Sequence, residues 1–186
     1  MASQSSLEFR DDEKLLSLCI PTYNRAKCLH QQFLRLLTLS QEELQGIEIL
    51  ISDNCSTDET EQIVRQFQQK ISFRYLRNTE NIGPDGNFLQ CLRQSTGKYV
   101  WLLGDDDFLR TEHISALLSL LANEDLGLIH VGVPNKGKFY HLYEDSDKFV
   151  CDIGVMITFM SANIFRRELV QSLNLDKYRQ TNLLQV

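Results

Sequence analysis

The sequence predicts an α/β protein: a three-layer α/β/α sandwich around a mostly parallel central sheet. Two observations carry that prediction. Short apolar runs alternate with amphipathic helical stretches, and polar clusters begin where the apolar runs stop. Alternation of this kind makes βαβ units, because parallel neighbours must be joined by a crossover. Right-handed crossovers carry every strand's carboxyl end to one rim of the sheet, the rim where ligands bind.

The elements follow in chain order. Residues 1–14 are a polar, charged lead-in, and a domain is expected over 15–186. Leu15–Ile20 (LLSLCI) reads as a buried strand stopped by Pro21. Residues 26–39 place Leu29, Phe33, Leu36 and Leu37 on one helical face. Ile47–Ser52 (IEILIS) is a second strand. A helix begins near Thr57–Asp58, where Ser56-x-x-Glu59 and Asp58-x-x-Glu61 both fit a capping box; Ile63, Val64 and Phe67 form its apolar stripe. Ser72–Leu76 is an edge-ward strand, and residues 86–95 are helical. Lys98–Leu103 (KYVWLL) is a strand with Trp101 in the core, and it stops at Gly104-Asp105-Asp106-Asp107. Thr111 caps a helix that turns Ile114, Leu117, Leu118 and Leu121 inward. Leu126–Val133 is a further strand. Pro134–Lys148 is polar and aromatic, either a flap over a ligand or a plain surface loop.

Composition bounds the function classes. The 186 residues carry a formal charge of −6; 42% are hydrophobic and 24% charged. That balance excludes a disordered or fibrous chain. It argues against a nucleic-acid partner, which would need Lys and Arg against its phosphates. No apolar run reaches the ~20 residues that span a bilayer. The first ten residues are polar and carry no secretory signal, so a cytoplasmic protein is expected. Five cysteines, at positions 19, 28, 55, 91 and 151, lack C-x-x-C spacing and read as reduced thiols. His30, His113, His130 and His141 show no metal-ligand spacing.

Three polar clusters end strands and therefore converge on one crevice: Pro21–Arg25, Asp53–Asp58 and Asp105–Asp107. Adjacent carboxylates repel, so at least one of the triplet should have a raised pKa unless a cation relieves it. Mg2+ or Mn2+ prefers oxygen donors and takes one or two carboxylates plus substrate phosphates. A solvated turn is the competing reading. Asp53, at a strand tip, either accepts from the ring N–H of a nucleotide base or closes an Asx-turn. Ser56, Thr57 and Asp58 read as helix caps. Thr22 and Tyr23 offer contacts to a base or ribose, and Arg25 to a diphosphate. Asn81, Gly83 and Gly86 lead into a helix whose free N–H groups suit an anion. The spacing is neither a P-loop nor a dinucleotide Gly-x-Gly-x-x-Gly.

Together, LSLCIPTYNR (16–25), IEILISDNCSTDET (47–60), RNTENIGPDGNF (77–88) and TGKYVWLLGDDDFL (96–109) resemble, in order and spacing, the family 2 glycosyltransferases. The variants here look most like O-antigen and capsule sugar transferases of the abequosyltransferase and rhamnosyltransferase type. The resemblance covers about residues 14–170. It implies the GT-A fold, Rossmann-like, with a nucleotide-binding half over 15–109 and a partial acceptor half over 110–186. It implies transfer, with inversion, of a sugar from a nucleotide-diphosphate donor to a glycan or lipid-linked acceptor in surface-polysaccharide synthesis. The expected location is then the cytoplasm, with peripheral association at the inner face of the membrane.

Residue by residue, Pro21, Thr22, Tyr23 and Arg25 match the family's first nucleotide-binding segment. Asp53 matches the aspartate that faces the base. Asn81, Gly83 and Gly86 match the loop near the diphosphate and donor sugar. Asp105, Asp106 and Asp107 match the Asp-x-Asp region, with Asp107 and Asp105 expected on Mg2+ or Mn2+ and Asp105 and Asp106 on the nucleotide sugar. Relatives often carry Asp where Gly104 stands, and an Arg–Asn or Asn–Asn pair where Phe88 and Leu89 stand. The family's general base lies well beyond the Asp-x-Asp; Asp152 and Asp176 are the acidic candidates, neither in a recognisable motif. GVMITFMSANIFRRELV (154–170) resembles the acceptor-side strand and helix, and the chain ends soon after it, as a C-terminally shortened member would. Two rivals remain: a nucleotide-sugar-binding module without catalysis, and a nucleotidyltransferase, whose Gly-rich basic loop PTYNR does not match.

Overall fold

The computed structural model describes residues 14–132 and 140–174. Their strands are β1 (Leu16–Thr22), β2 (Ile47–Asp53), β3 (Arg74–Arg77), β4 (Tyr99–Leu102), β5 (Leu128–His130) and β6 (Asn163–Arg166). Their helices are α1 (Ala26–Leu36), α2 (Gln41–Gly46), α3 (Thr60–Phe67), α4 (Gly83–Gln94), α5 (Ile114–Asn123), α6 (Ser146–Ile153) and α7 (Arg167–Gln171). The strands form one sheet in the order β3-β2-β1-β4-β6-β5. The first four are mutually parallel, and β6 runs antiparallel between β4 and β5.

Every residue of β1, β2 and β4 is buried, as strands covered on both faces must be. On one face Leu18, Ile20, Ile49, Ile51, Tyr99 and Trp101 pack under α1, α3 and α5. Phe33 of α1 stacks on Phe67 of α3 with centroids 4.7 Å apart. On the other face Cys19, Leu50, Val100 and Leu102 meet Leu89, Cys91 and Leu92 of α4 and Val170 of α7. The three layers and the mostly parallel sheet are therefore those expected. The five cysteines are free. No helix among the described residues is long and apolar enough to cross a membrane.

Several local expectations are corrected. Pro21 does not stop β1, which runs to Thr22 opposite Asp53. The last β1–β4 rung is Cys19↔Leu102, so on that side Pro21 lies past the ladder and its missing N–H costs nothing. Neither capping box forms. Ser56 Oγ accepts instead from the amide of Asn24, while Asp58 accepts from Thr60 at the start of α3 and from the amide of Ala26 at the start of α1. The capping box that does form is Ser40 with Glu43, on α2. Leu37 falls just beyond α1 and is exposed. Thr111 lies in a short 3-10 turn and contacts Thr38 Oγ1 at 2.8 Å rather than capping α5, although Ile114, Leu117, Leu118 and Leu121 do point inward. The edge strand is shifted to Arg74–Arg77. The strand expected over Leu126–Val133 shrinks to β5, whose partner β6 is itself only four residues long. Within Pro134–Lys148, residues 134–139 lie outside the described part, and α6 begins at Ser146.

Candidate functional site

The carboxyl ends of β1, β2 and β4 open into a cleft of about 2290 Å3. Thr22 is the hinge of its floor. Its carbonyl accepts from Asn54 N at 2.9 Å, binding the end of β1 to the end of β2. Its Oγ1 donates to Asp105 Oδ2 at 2.7 Å, binding both to the turn after β4. The three clusters that the strand pattern brings together are thus joined through one residue, by its carbonyl and its hydroxyl.

The loops over this floor interlock. Asn24 and Cys55 both adopt left-handed backbone, at φ 53° and 65°. Asn24 Oδ1 accepts from Thr57 N at 2.7 Å, so the β1–α1 loop is buttoned to the β2–α3 loop. The acidic turn is held from two sides: Gln32 Nε2 of α1 donates to the carbonyls of Gly104 and Asp107, and Ser161 Oγ accepts from Gly104 N at 2.8 Å. Trp101 Nε1 in turn fixes the Ser161 carbonyl at 2.8 Å.

Within the turn the three aspartates differ. Asp105 is buried; burial pushes its carboxyl up to about 6, against the Thr22 hydrogen bond and the Arg25 charge, with the neighbouring Asp106 adding to the rise. The triplet is expected to hold a raised acid through mutual repulsion; here burial is the larger cause and Asp106 the lesser. Asp106 is exposed and pairs with Arg25. Asp107 is exposed and folds back over the turn, where its Oδ2 would lie 2.8 Å from a Cβ on Gly104. Glycine at 104 is what leaves Asp107 that room; an aspartate there would push it outward.

Asp53 is placed differently from the expectation that it faces a base. It is fully buried, with Oδ1 accepting from Ser56 N at 2.8 Å and Oδ2 from the Tyr75 hydroxyl at 2.6 Å. Burial and that bond to a carboxylate raise the Tyr75 phenol well above its ordinary value. Asn54, the next residue, lines the cleft instead. Pro21, Thr22, Tyr23, Arg25 and Asn81 line it too, as does Asp152, exposed on α6 and hydrogen-bonded to Tyr143. Asp176 lies outside the described residues.

The open anion cradle expected ahead of α4 is not there. Ile82 N donates to Asn54 Oδ1, Gly83 N to Asn81 Oδ1, and Pro84 has no N–H. Asp85, in the first turn, is buried with both oxygens unpartnered. Gly83 supplies the positive φ of 77° that starts the helix, and Gly86 sits against Ile82, where a Cβ would come within 3.0 Å. Neither glycine lines the cleft.

Sequence reasoning missed Gln32, Asn54, Tyr75 and Ser161 as organisers of the site. Gln32 had a signal: it falls on the apolar stripe between Leu29 and Leu36, where a polar residue needs a partner. Tyr75 and Ser161 had none, since only the fold brings them near Asp53 and Gly104.

Among the described residues no three His, Cys, Asp or Glu side chains gather in a group able to hold a metal. The turn does offer two carboxylates, Asp105 and Asp107, all-oxygen donors with one charge that burial leaves poorly compensated. That set fits a hard divalent cation that completes its shell with phosphate and water.

Comparison with known proteins agrees with the sequence resemblance. The chain is 38% identical over 112 residues to the abequosyltransferase RfbV of Salmonella typhimurium, covering 59% of this chain and 33% of that protein. It is 33% identical over 119 residues to a GalNAc(5)-diNAcBac-PP-undecaprenol beta-1,3-glucosyltransferase of Campylobacter jejuni, covering 62% and 36%. It spans, therefore, about a third of the length of these relatives. TarS of Staphylococcus aureus superposes with a TM-score of 0.68 at 21% identity, over 85% of this chain and 48% of that one. The mannosyltransferase PcManGT of Pyrobaculum calidifontis, solved with GDP-Man and Mn2+, gives 0.62 at 20% identity, over 87% and 47%. The fold is the GT-A fold of those structures. With residues 17–180 matching the model of glycosyl transferase family 2, and the cleft built from that family's segments, the chain belongs to that family.

Proposed function

We propose that the protein moves a sugar from a nucleoside-diphosphate donor to a glycan or lipid-linked acceptor, with inversion, in the making of a surface polysaccharide. The observation that supports this most is the Thr22–Asp105 bond. It sets a buried carboxylate at the meeting point of three strand ends, inside a cleft large enough for a nucleotide sugar. The relatives named above are an abequosyltransferase and a glucosyltransferase acting on a PP-undecaprenol-linked glycan, which supports the same class of reaction and acceptor.

In this reading residues 15–109 form the nucleotide-binding half and residues 110–186 part of the acceptor half. Asp105 and Asp107 hold Mg2+ or Mn2+, which when bound offsets the charge that develops on the departing diphosphate. Pro21, Thr22 and Tyr23 frame the nucleoside, Asp106 faces its ribose, and Arg25 faces the diphosphate. Asp53 reaches a base only if the Tyr75 hydroxyl lets go of it; otherwise Asn54 makes that contact. Asn81 acts through the backbone it orders, as do Gly83 and Gly86. Asp152, exposed on the cleft wall, takes the proton from the acceptor hydroxyl at its carboxylate as the hydroxyl attacks the anomeric carbon. The reaction takes place in the cytoplasm, at the membrane's inner face where the acceptor is lipid-linked.

Titration calorimetry with UDP, GDP and dTDP, each with and without Mn2+, tests the reading. Metal-dependent binding of one of them is expected; binding of none, in either condition, would sink it. A second reading is a donor-binding module without catalysis. A donor that binds but is never hydrolysed or transferred, even slowly, would favour it.

A further inference from the structure

Arg25 lies with its guanidinium across the acidic turn. Its Nη1 pairs with Asp106 and stands 3.6 Å from Asp105 Oδ1. The backbone beneath it is fixed on both sides: Asn24 is tied to Ser56 and Thr57, and the amide of Ala26 is held by Asp58. The side chain itself is half exposed, and among the described residues its ion-pair partners are those two carboxylates. A rigid root therefore carries a cationic head that is anchored only by the acids it neutralises.

A guanidinium and a divalent cation satisfy the same need in a carboxylate, and their charges repel, so a cation at Asp105 weakens the hold of Arg25 on it. Pushed from there, the guanidinium keeps Asp106 alone, with a face open to an arriving anion. Its planar fork matches phosphate oxygens as well as it matches carboxylate. We propose that Arg25 is the resident counter-cation of the acidic turn: the incoming divalent cation displaces it from Asp105, and it re-pairs with the diphosphate that accompanies the cation. This rests on the nucleotide-sugar reading above.

The consequence is a coupling between two ligands. Metal alone must push Arg25 off Asp105 and leave it with Asp106 only, so it binds weakly. Metal with a nucleoside diphosphate returns a partner to Arg25, so the pair binds well. Arg25 thus makes each ligand raise the affinity for the other.

Mn2+ binding followed by electron paramagnetic resonance, with and without UDP or GDP, reads this directly. In Arg25→Met, Mn2+ alone should bind about 5-fold tighter, by loss of the competitor, while the nucleoside diphosphate in the presence of Mn2+ should bind about 10-fold weaker. Arg25→Lys, which keeps the charge without the fork, should restore the Mn2+ affinity but not the nucleotide affinity. A second readout separates displacement from simple removal of charge. Phenylglyoxal labelling of Arg25 in the wild-type protein, located by peptide mass spectrometry, should accelerate severalfold with Mn2+ alone and slow with Mn2+ plus UDP or GDP. Arg110, another cation of the cleft wall, should not follow that pattern. If Mn2+ leaves Arg25 labelling unchanged, or Arg25→Met binds Mn2+ no tighter, while nucleoside diphosphate still binds, the counter-cation role is overturned and the donor reading stands. If the wild type binds neither Mn2+ nor any nucleoside diphosphate, both fall.

Discussion

Thr22 shows how much of the site a single hydroxyl can carry. With the Arg25 charge it opposes the rise that burial imposes on the Asp105 carboxyl, and it is continuous with the β1–β2 ladder. Thr22→Val preserves the shape and removes the donor. It should cost about 1–3 kcal/mol of stability, because a buried acceptor is left short of a bond, and denaturant unfolding will show it. Asp152→Asn tests the opposite wall of the cleft. Loss of a general base should lower sugar transfer by roughly 10²–10⁴-fold while nucleoside-diphosphate binding is retained. Transfer at the wild-type rate would move the base elsewhere, with Asp176 next to be replaced. Which of the acids stood at the rim was readable from the sequence, because each follows an apolar strand. What each acid does there was not. Asp53, Asp105, Asp106 and Asp107 look alike on paper and differ because Tyr75, Thr22 and Arg25 meet the first three from distant positions, while Gly104 leaves the fourth room within its own turn.

At the scale of elements, the far end of the sheet is held by a second polar network. Glu48 of β2 accepts from Ser17 of β1, from the amide of Thr96 at 2.8 Å and from Arg74 of β3. Burial alone would raise its carboxyl; these donors together outweigh burial and hold it below the ordinary glutamate value. A carboxylate depressed in the folded state stabilises the protein above its unfolded pKa, near 4.3, and that stability is lost as pH falls through the lower folded value. Urea midpoints should therefore drop on acidification across that window. Glu48→Gln should be less stable at neutral pH and show a flatter acid limb. Gly97 sits beside this network. A Cβ there would lie 2.7 Å from Ser17 N and 2.8 Å from the Leu16 carbonyl carbon, both backbone atoms of the central strand. Gly97→Ala should lose about 1–3 kcal/mol, as overpacking of a rigid neighbour does. Periodicity revealed α1, α3, α5 and the parallel strands, since their apolar residues answer to local geometry. It did not reveal the ends of the elements. Ser56 and Asp58 have the residue types of caps, but the neighbouring loop claims the first and shares the second. Pro21 has the look of a stop, yet it falls where its strand has no partner left to disappoint.

For the whole molecule, four parallel strands carry the side proposed for the donor and an antiparallel pair, β5 and β6, closes the other edge. The direction and insertion of β6 between β4 and β5 were not legible, because an isolated NIFR carries no mark of which strand it will join. If the cleft binds a nucleoside diphosphate only in the folded state, ligand at 100 times its Kd should add about 2.7 kcal/mol of stability, visible as a raised Tm with Mn2+ and UDP or GDP together. A smaller rise with either alone is expected from the coupling through Arg25.

The tie between Gly104 N and Ser161 Oγ joins residues 57 positions apart. During translation the amino-terminal strands can pair as they leave the ribosome, since domains assemble from the residues already made. The aspartate-bearing bend, however, lacks its outer anchor until residue 161 has emerged. A nascent chain halted short of that point would possess its four parallel strands and still leave that bend loose, so the cleft floor is completed late in the life of the growing polypeptide.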